Sequence, residues 1–191
     1  IDIPFKSDVS KEKHAPGFIS KRIDFDASLF NKLDKNYANV LDGTELLDVI
    51  KTNDEITIQL KNNIESFEIK NIKMLIGAEG DRSLVAKKLS DIKKENDHYC
   101  AGIRAYYEGV TELHDQNFIE LHFLEELLSG YFWIFPLPNG QANVGAGMLS
   151  SSVSAKKVNL KEDMLRAIAN NPKIKNRFAN ADCELIKSFP N

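Results

Sequence analysis

Between Gly130 and Gly147 the chain reads Gly-Tyr-Phe-Trp-Ile-Phe-Pro, then Leu-Pro, then Asn139-Gly140, then Gln-Ala-Asn-Val-Gly-Ala-Gly. Two strand-like runs rich in aromatic and aliphatic residues flank an Asn-Gly pair, the dipeptide best suited to the positive φ angles of a tight hairpin turn. This stretch commits the surrounding chain to an antiparallel sheet. A two-residue turn predicts Phe135 opposite Val144, Trp133 opposite Ala146 and Tyr131 opposite Met148, all on one face. The other face would set Phe132 and Ile134 against Gly145 and Gly147, where missing side chains admit close packing by another group. A row of rings is either core or the wall of a binding site, and the pattern alone does not separate the two.

The rest of the chain supports a mixed architecture. Phe25, Leu29, Phe30 and Leu33 share one helical face over 24–33, with Asp24 as N-cap. Val40 to Leu41 and Leu46 to Ile50 read as strand around Asp42-Gly43, and Ile56, Ile58 and Leu60 alternate with polar residues. Asn62-Asn63 turns the chain toward Phe67 and Ile69, completing a small antiparallel meander. Lys73 to Ala78 is apolar without alternation, which predicts a strand covered on both faces, followed by a short helix with Leu84, Val85 and Leu89. The charged run from Ser90 to Asp97 marks a domain boundary. Beyond it, 101–108, 118–124, 131–137 and 141–149 read as strands. Asn159 caps a helix with Leu160, Met164, Leu165 and Ile168 on one face, and Asn171 caps a second one beginning at Pro172.

Composition excludes several functions. A net charge of −3, with Lys and Arg scattered among acids, leaves no footprint for a nucleic-acid backbone. The two cysteines, Cys100 and Cys183, have neither the number nor the spacing of a disulfide framework or zinc site, which suits the reducing cytoplasm. His14, His98, His114 and His122 lack metal spacing, so no metal site is expected. No apolar run reaches the ~20 residues needed to span a bilayer, although contact with a membrane surface is compatible with the sequence.

Two segments carry cofactor chemistry. In Gly77-Ala78-Glu79-Gly80-Asp81-Arg82-Ser83-Leu84-Val85 a strand runs through glycines into a helix start. Such a bend either brings backbone close to a ligand or is a plain strand-to-helix turn. In Ser20-Lys21-Arg22-Ile23-Asp24-Phe25-Asp26, Arg22 stands just ahead of a helix. It is either an exposed solvated arginine or a planar fork for a phosphate or carboxylate.

These segments together resemble the geranylgeranyl reductase family of FAD-dependent oxidoreductases, in the aromatic hydroxylase superfamily. The bend is similar to the family's Gly-Ala-Asp-Gly fingerprint, with Glu79 at the Asp position and Ala86 where an Arg is usual. The extra methylene moves the carboxylate outward by about 1.5 Å. The Arg22 segment resembles Ser-Arg-x-x-Phe-Asp-x-x-Leu, and the hairpin resembles Tyr-x-Trp-x-Phe-Pro followed by Asn-Val-Gly-x-Gly. Leu137-Pro138 replaces a common Lys-Gly, and the family's cysteine near the active site has no match. Flavin-dependent halogenases carry a related Trp-x-Trp-x-Ile-Pro.

The resemblance implies an α+β fold: residues 1–90 as a partial FAD-binding α/β domain, 98–182 as an antiparallel-sheet substrate domain with helices on one face, and 183–191 as a return strand. It assigns Arg22, Gly77, Glu79 and Gly80 to FAD, and Tyr131, Trp133, Phe135 and Pro136 to a prenyl or other lipophilic substrate. It further implies reduction of isoprenoid double bonds by hydride from reduced FAD, with NAD(P)H as reductant. A halogenase or monooxygenase, and a non-catalytic apolar-ligand module, are the alternatives. No Gly-x-Gly-x-x-Gly is present and the chain opens at Ile1. We therefore expect part of a longer protein, inactive and without tight FAD binding by itself.

Overall fold

A computed structural model describes residues 17–53, 55–93 and 95–184. The chain divides into two compact units: 31–94, and a second that joins the described residues up to Phe30 to those from Glu95 onward. The helix near the start thus groups with the later half of the sequence.

The smaller unit is a meander of β1 (Glu45–Lys51), β2 (Ile56–Lys61) and β3 (Ser66–Ile72), in the order β1-β2-β3, all antiparallel. The second turn forms because the Asn62 carboxamide oxygen accepts from the amides of Ile64 and Glu65. Val49, Leu60 and Val85 are buried, the last from α2 (Leu84–Leu89). Lys88 ties that helix to β1 through Asp48 at 2.9 Å. The strand expected over 73–78 does not form, and Met74 and Ile76 are 76% and 77% exposed. An apolar run becomes a strand only when a neighbour accepts and donates along at least one edge, and no strand lies beside it among the described residues.

The larger unit holds a five-stranded antiparallel sheet, ordered β5-β6-β7-β4-β8. Its strands are β4 (Cys100–Glu108), β5 (Glu120–His122), β6 (Gly130–Pro136), β7 (Gln141–Leu149) and β8 (Asp182–Glu184). β8 pairs with the edge of β4, with Cys183 opposite Tyr107, while 185–191 of the expected return strand lie outside the described residues. Two helices follow β7, α3 (Ser150–Lys156) and α4 (Leu160–Asn170). The Asn159 side chain accepts from the Glu162 amide at the start of α4, as its sequence predicts. Beyond α4, Lys175–Phe178 is a 3-10 turn rather than an α-helix, and the Asn171 carboxamide accepts from Lys173 N–H at its approach. α1 (Arg22–Phe30) begins earlier than predicted, which puts Asp24 inside its first turn instead of at the cap.

One face of the larger sheet is core. Phe132, Ile134, Ala142, Val144, Ala146 and Met148 are buried there with Leu127, Met164, Ala167, Ile174 and Phe178. Each large side chain so buried contributes about 1.5–3 kcal/mol.

The register of the central hairpin differs from the predicted one by a single residue. Ile134 stands opposite Val144, Trp133 opposite Gly145 and Tyr131 opposite Gly147. The loop has three residues, Pro138–Gly140, and closes where Leu137 N–H donates to the Gln141 carbonyl at 2.8 Å. Asn139 (φ 62) and Gly140 (φ 70) are both left-handed. Because side chains alternate along a strand, this slip exchanges the β7 residues that share a face with the rings.

Candidate functional site

The corrected register places Tyr131, Trp133 and Phe135 on the sheet face opposite the core, across from Gly147, Gly145 and Asn143. Pro136, assigned with them from the sequence, pairs with Ala142 and is buried on the core face, since it stands one residue out of phase with the rings. β5 extends the row, because Leu121 is opposite Trp133. The rings form a continuous series: Phe123 to Tyr131 at 6.2 Å between centroids, Tyr131 to Trp133 at 5.9 Å, Trp133 to Phe135 at 6.0 Å. Phe123 is 70% exposed, Leu121 45% and Tyr131 40%, while Trp133 and Phe135 are half-buried. The rings are therefore not sealed inside the unit.

Trp133 is fixed from two sides. A β-carbon at Gly145 would clash with the indole, lying 2.6 Å from Cε2, so the ring lies on the strand where that side chain would be. The indole N–H donates to the Asn143 carboxamide oxygen at 3.1 Å. The glycines that the sequence set against Phe132 and Ile134 instead form a floor under the aromatic row. Leu121 and Phe123 escaped the sequence-based assignment, although the odd-position apolar residues of 118–124 carried the signal.

At the bend in the smaller unit, the Glu79 carboxylate accepts from Ser83 O–H at 2.6 Å and from the amides of Leu84 and Val85 at 3.1 and 3.2 Å. Bonding to Ser83 holds its carboxyl below the usual range. These contacts cap α2, and a carboxylate with about four acceptor positions retains room for a further donor. At Gly77 a β-carbon would lie 2.7 Å from Val85 Cβ, so that glycine serves helix packing. Gly80 has φ +79 and open space where a β-carbon would project. Arg22 lies in the larger unit and makes a two-pronged pair with Asp26 of its own helix at 2.9 to 3.1 Å, exposed on the surface.

Below the sheet edge, Arg177 donates to both oxygens of Glu120 at 2.6 and 2.8 Å and to the carbonyls of Thr111 and Glu112. Burial raises the Glu120 pKa, but His122 at 3.3 Å and Arg177 outweigh it and hold the carboxyl at about 2. His122 Nε2 is itself buried without a well-formed hydrogen bond. This cluster clamps β5 to the helical layer rather than facing the rings.

No family model matches the chain. It is similar to digeranylgeranylglycerophospholipid reductase 1 of Methanosphaera stadtmanae, 31% identical over 146 residues that cover 75% of this chain and 35% of that protein. It is also similar to a menaquinone reductase of Mycobacterium tuberculosis, 37% identical over 86 residues covering 42% of this chain and 20% of that one. The chain thus spans about a third of the length of the first of these relatives. In fold it resembles a myxobacterial chondrochloren halogenase, with TM-score 0.70, 22% identity, and 87% of this chain and 38% of that one covered. A geranylgeranyl bacteriochlorophyll reductase-like protein from Thermoplasma acidophilum matches with TM-score 0.58 and 22% identity, covering 74% and 34%.

Proposed function

From the homology of this chain to part of the digeranylgeranylglycerophospholipid reductases, we propose that it belongs to a flavin-dependent oxidoreductase that reduces double bonds in isoprenoid chains. The observation that carries this reading is the open row of Phe123, Tyr131, Trp133 and Phe135, in which the indole lies flat on Gly145. A flat apolar surface of rings suits a branched polyene laid lengthwise.

FAD, when bound, would supply the hydride chemistry, with NAD(P)H as the reductant. The chain's own residues bind and shield. Tyr131, Trp133 and Phe135 would hold the substrate and exclude water, with Asn143 keeping the indole flat. Glu79, through its remaining acceptor capacity, and the backbone at Gly80 would hold a ribose hydroxyl. Arg22 would reach a phosphate only by releasing Asp26. Work on a lipophilic substrate in the cytoplasm, with contact at a membrane surface, belongs to the same proposal. Among the described residues no helix is long and apolar enough to cross a membrane.

Likeness of fold favours a halogenase or monooxygenase as the second reading. Incubating the full-length flavoprotein anaerobically with NAD(P)H and a geranylgeranyl lipid separates them. Gain of two hydrogens per double bond, lost in Trp133→Ala, is the expected result. Turnover that requires oxygen and leaves every double bond intact would overturn it.

A further inference from the structure

β5 faces the opposite way from the one its own sequence favours. From Phe118 to Leu124 the chain reads Phe-Ile-Glu-Leu-His-Phe-Leu. One alternate set, Ile119, Leu121 and Phe123, is wholly apolar, while the other, Phe118, Glu120, His122 and Leu124, carries the polar side chains. Alternation by itself would turn the apolar set toward the core and Glu120 toward water. The structure does the reverse. Glu120 stands opposite Ile134 and His122 opposite Phe132, both partners fully buried, and Leu124 packs against the core. Leu121 stands opposite Trp133, the Phe123 ring lies 6.2 Å from that of Tyr131, and Ile119, Leu121 and Phe123 are all exposed.

Arg177 is what keeps a carboxylate on the core side. β5 has three residues and, among the described residues, pairs with β6 alone, so backbone bonding fixes its phase weakly. The buried Arg177 guanidinium donates to both Glu120 oxygens at 2.6 and 2.8 Å, to the Thr111 carbonyl at 3.1 Å and to the Glu112 carbonyl at 2.9 Å. The Thr111 amide donates in return to the Arg177 carbonyl at 3.0 Å. One side chain thus grips both β5 and the chain leading toward it. A slip of one residue would carry Glu120 to the other face and leave the guanidinium buried without its carboxylate, which is strongly unfavourable. The ion pair therefore overrides the hydrophobic preference for the opposite phase.

We infer that Arg177, acting through Glu120, is a positioning residue for the ring site: it holds β5 in the phase that turns Leu121 and Phe123 toward Trp133 and Tyr131, and so widens the apolar wall from one strand to two. What that wall binds rests on the proposed function; the phase of β5 does not.

The test uses the full chain with labelled leucine methyls, reading the nuclear Overhauser effect between Leu121 and the Trp133 indole, together with farnesol affinity from the emission of Trp133, the sole tryptophan. The unaltered chain should show the Leu121 contact. Arg177→Met strands Glu120 on the core side, so in the folded protein the contact should vanish and farnesol should bind about fivefold more weakly. Glu120→Leu combined with Arg177→Met removes the charge with its partner and should restore both. If Arg177→Met does not fold, Arg177→Lys, which keeps the charge and loses the fork, is read in its place and should lie between the two. An unaltered chain without the Leu121 contact, or a folded Arg177 variant with contact and affinity unchanged, overturns the positioning role. Loss of the contact at constant farnesol affinity overturns the two-strand wall. A Leu121 contact in an unaltered chain that gives no response to farnesol overturns the ring site of the proposed function and leaves the phase assignment standing.

Discussion

The indole of Trp133 occupies the space a side chain at Gly145 would fill. It is held there because its N–H donates to Asn143, two residues away on the same strand as that glycine. The pairing lays a bulky residue flat over the glycine, so the indole itself forms the surface of the face there. Replacing Gly145 by alanine would set a β-carbon against both the ring and the Ile103 carbonyl. We expect Gly145→Ala to cost about 1–3 kcal/mol in urea unfolding and to shift Trp133 emission in the folded state. An unchanged midpoint and spectrum would show that the ring does not rest on the strand.

Asn143→Ala tests the other support. The half-buried indole N–H loses its acceptor, with a stability cost of about 1 kcal/mol. The ring should then move more freely, seen as lower Trp133 fluorescence anisotropy. A variant with native stability and anisotropy would remove the hydrogen bond as the orienting element.

Glu120 and Arg177 predict a stability loss in acid. The folded-state carboxyl, at about 2, lies below its ordinary value of 4.5. Stability from this pair is therefore fully present above about pH 5 and lost as pH falls through the window between those two values. Arg177→Ala leaves Glu120 half-buried beside His122 and takes donors from two carbonyls, an expected cost of about 3–5 kcal/mol at pH 7. Urea midpoints from pH 7 to pH 3 check both. A variant whose midpoint differs from the unaltered protein by the same amount throughout would refute the acid-labile pair.

At the bend of the smaller unit, Ser83 caps α2 by accepting from the Ala86 amide, and Glu79 accepts from Leu84 and Val85. Ser83→Ala should cost about 1 kcal/mol. Glu79→Ala should speed hydrogen exchange at the Leu84 and Val85 amides while leaving β2 protected. Exchange at those two amides unaltered by the change would mean that the carboxylate does not cap the helix.

Much of the architecture was legible in order. The meander over 45–72, the strands beyond 100 and the capped helix at Asn159 follow from alternation, helical spacing and capping side chains, all local properties. The Lys73 to Ala78 strand was not legible, because its formation depends on strands beside it and not on its own apolar run. The Arg177 clamp was equally hidden, since it joins residues 57 apart in sequence.

The ring site shows where the division falls. The sequence alone determined that Tyr131, Trp133 and Phe135 share one face of an antiparallel hairpin, because side-chain alternation is built into the extended chain. Only the tertiary structure decided what that face opposes. The hairpin closes through three residues, with Asn139 and Gly140 both left-handed, and this one-residue difference sets glycines rather than Ala146 and Met148 under the rings. Turn geometry and the burial of Phe132 and Ile134 on the helical side fix the register together, and in a pleated strand a slip of one residue moves every side chain to the opposite face.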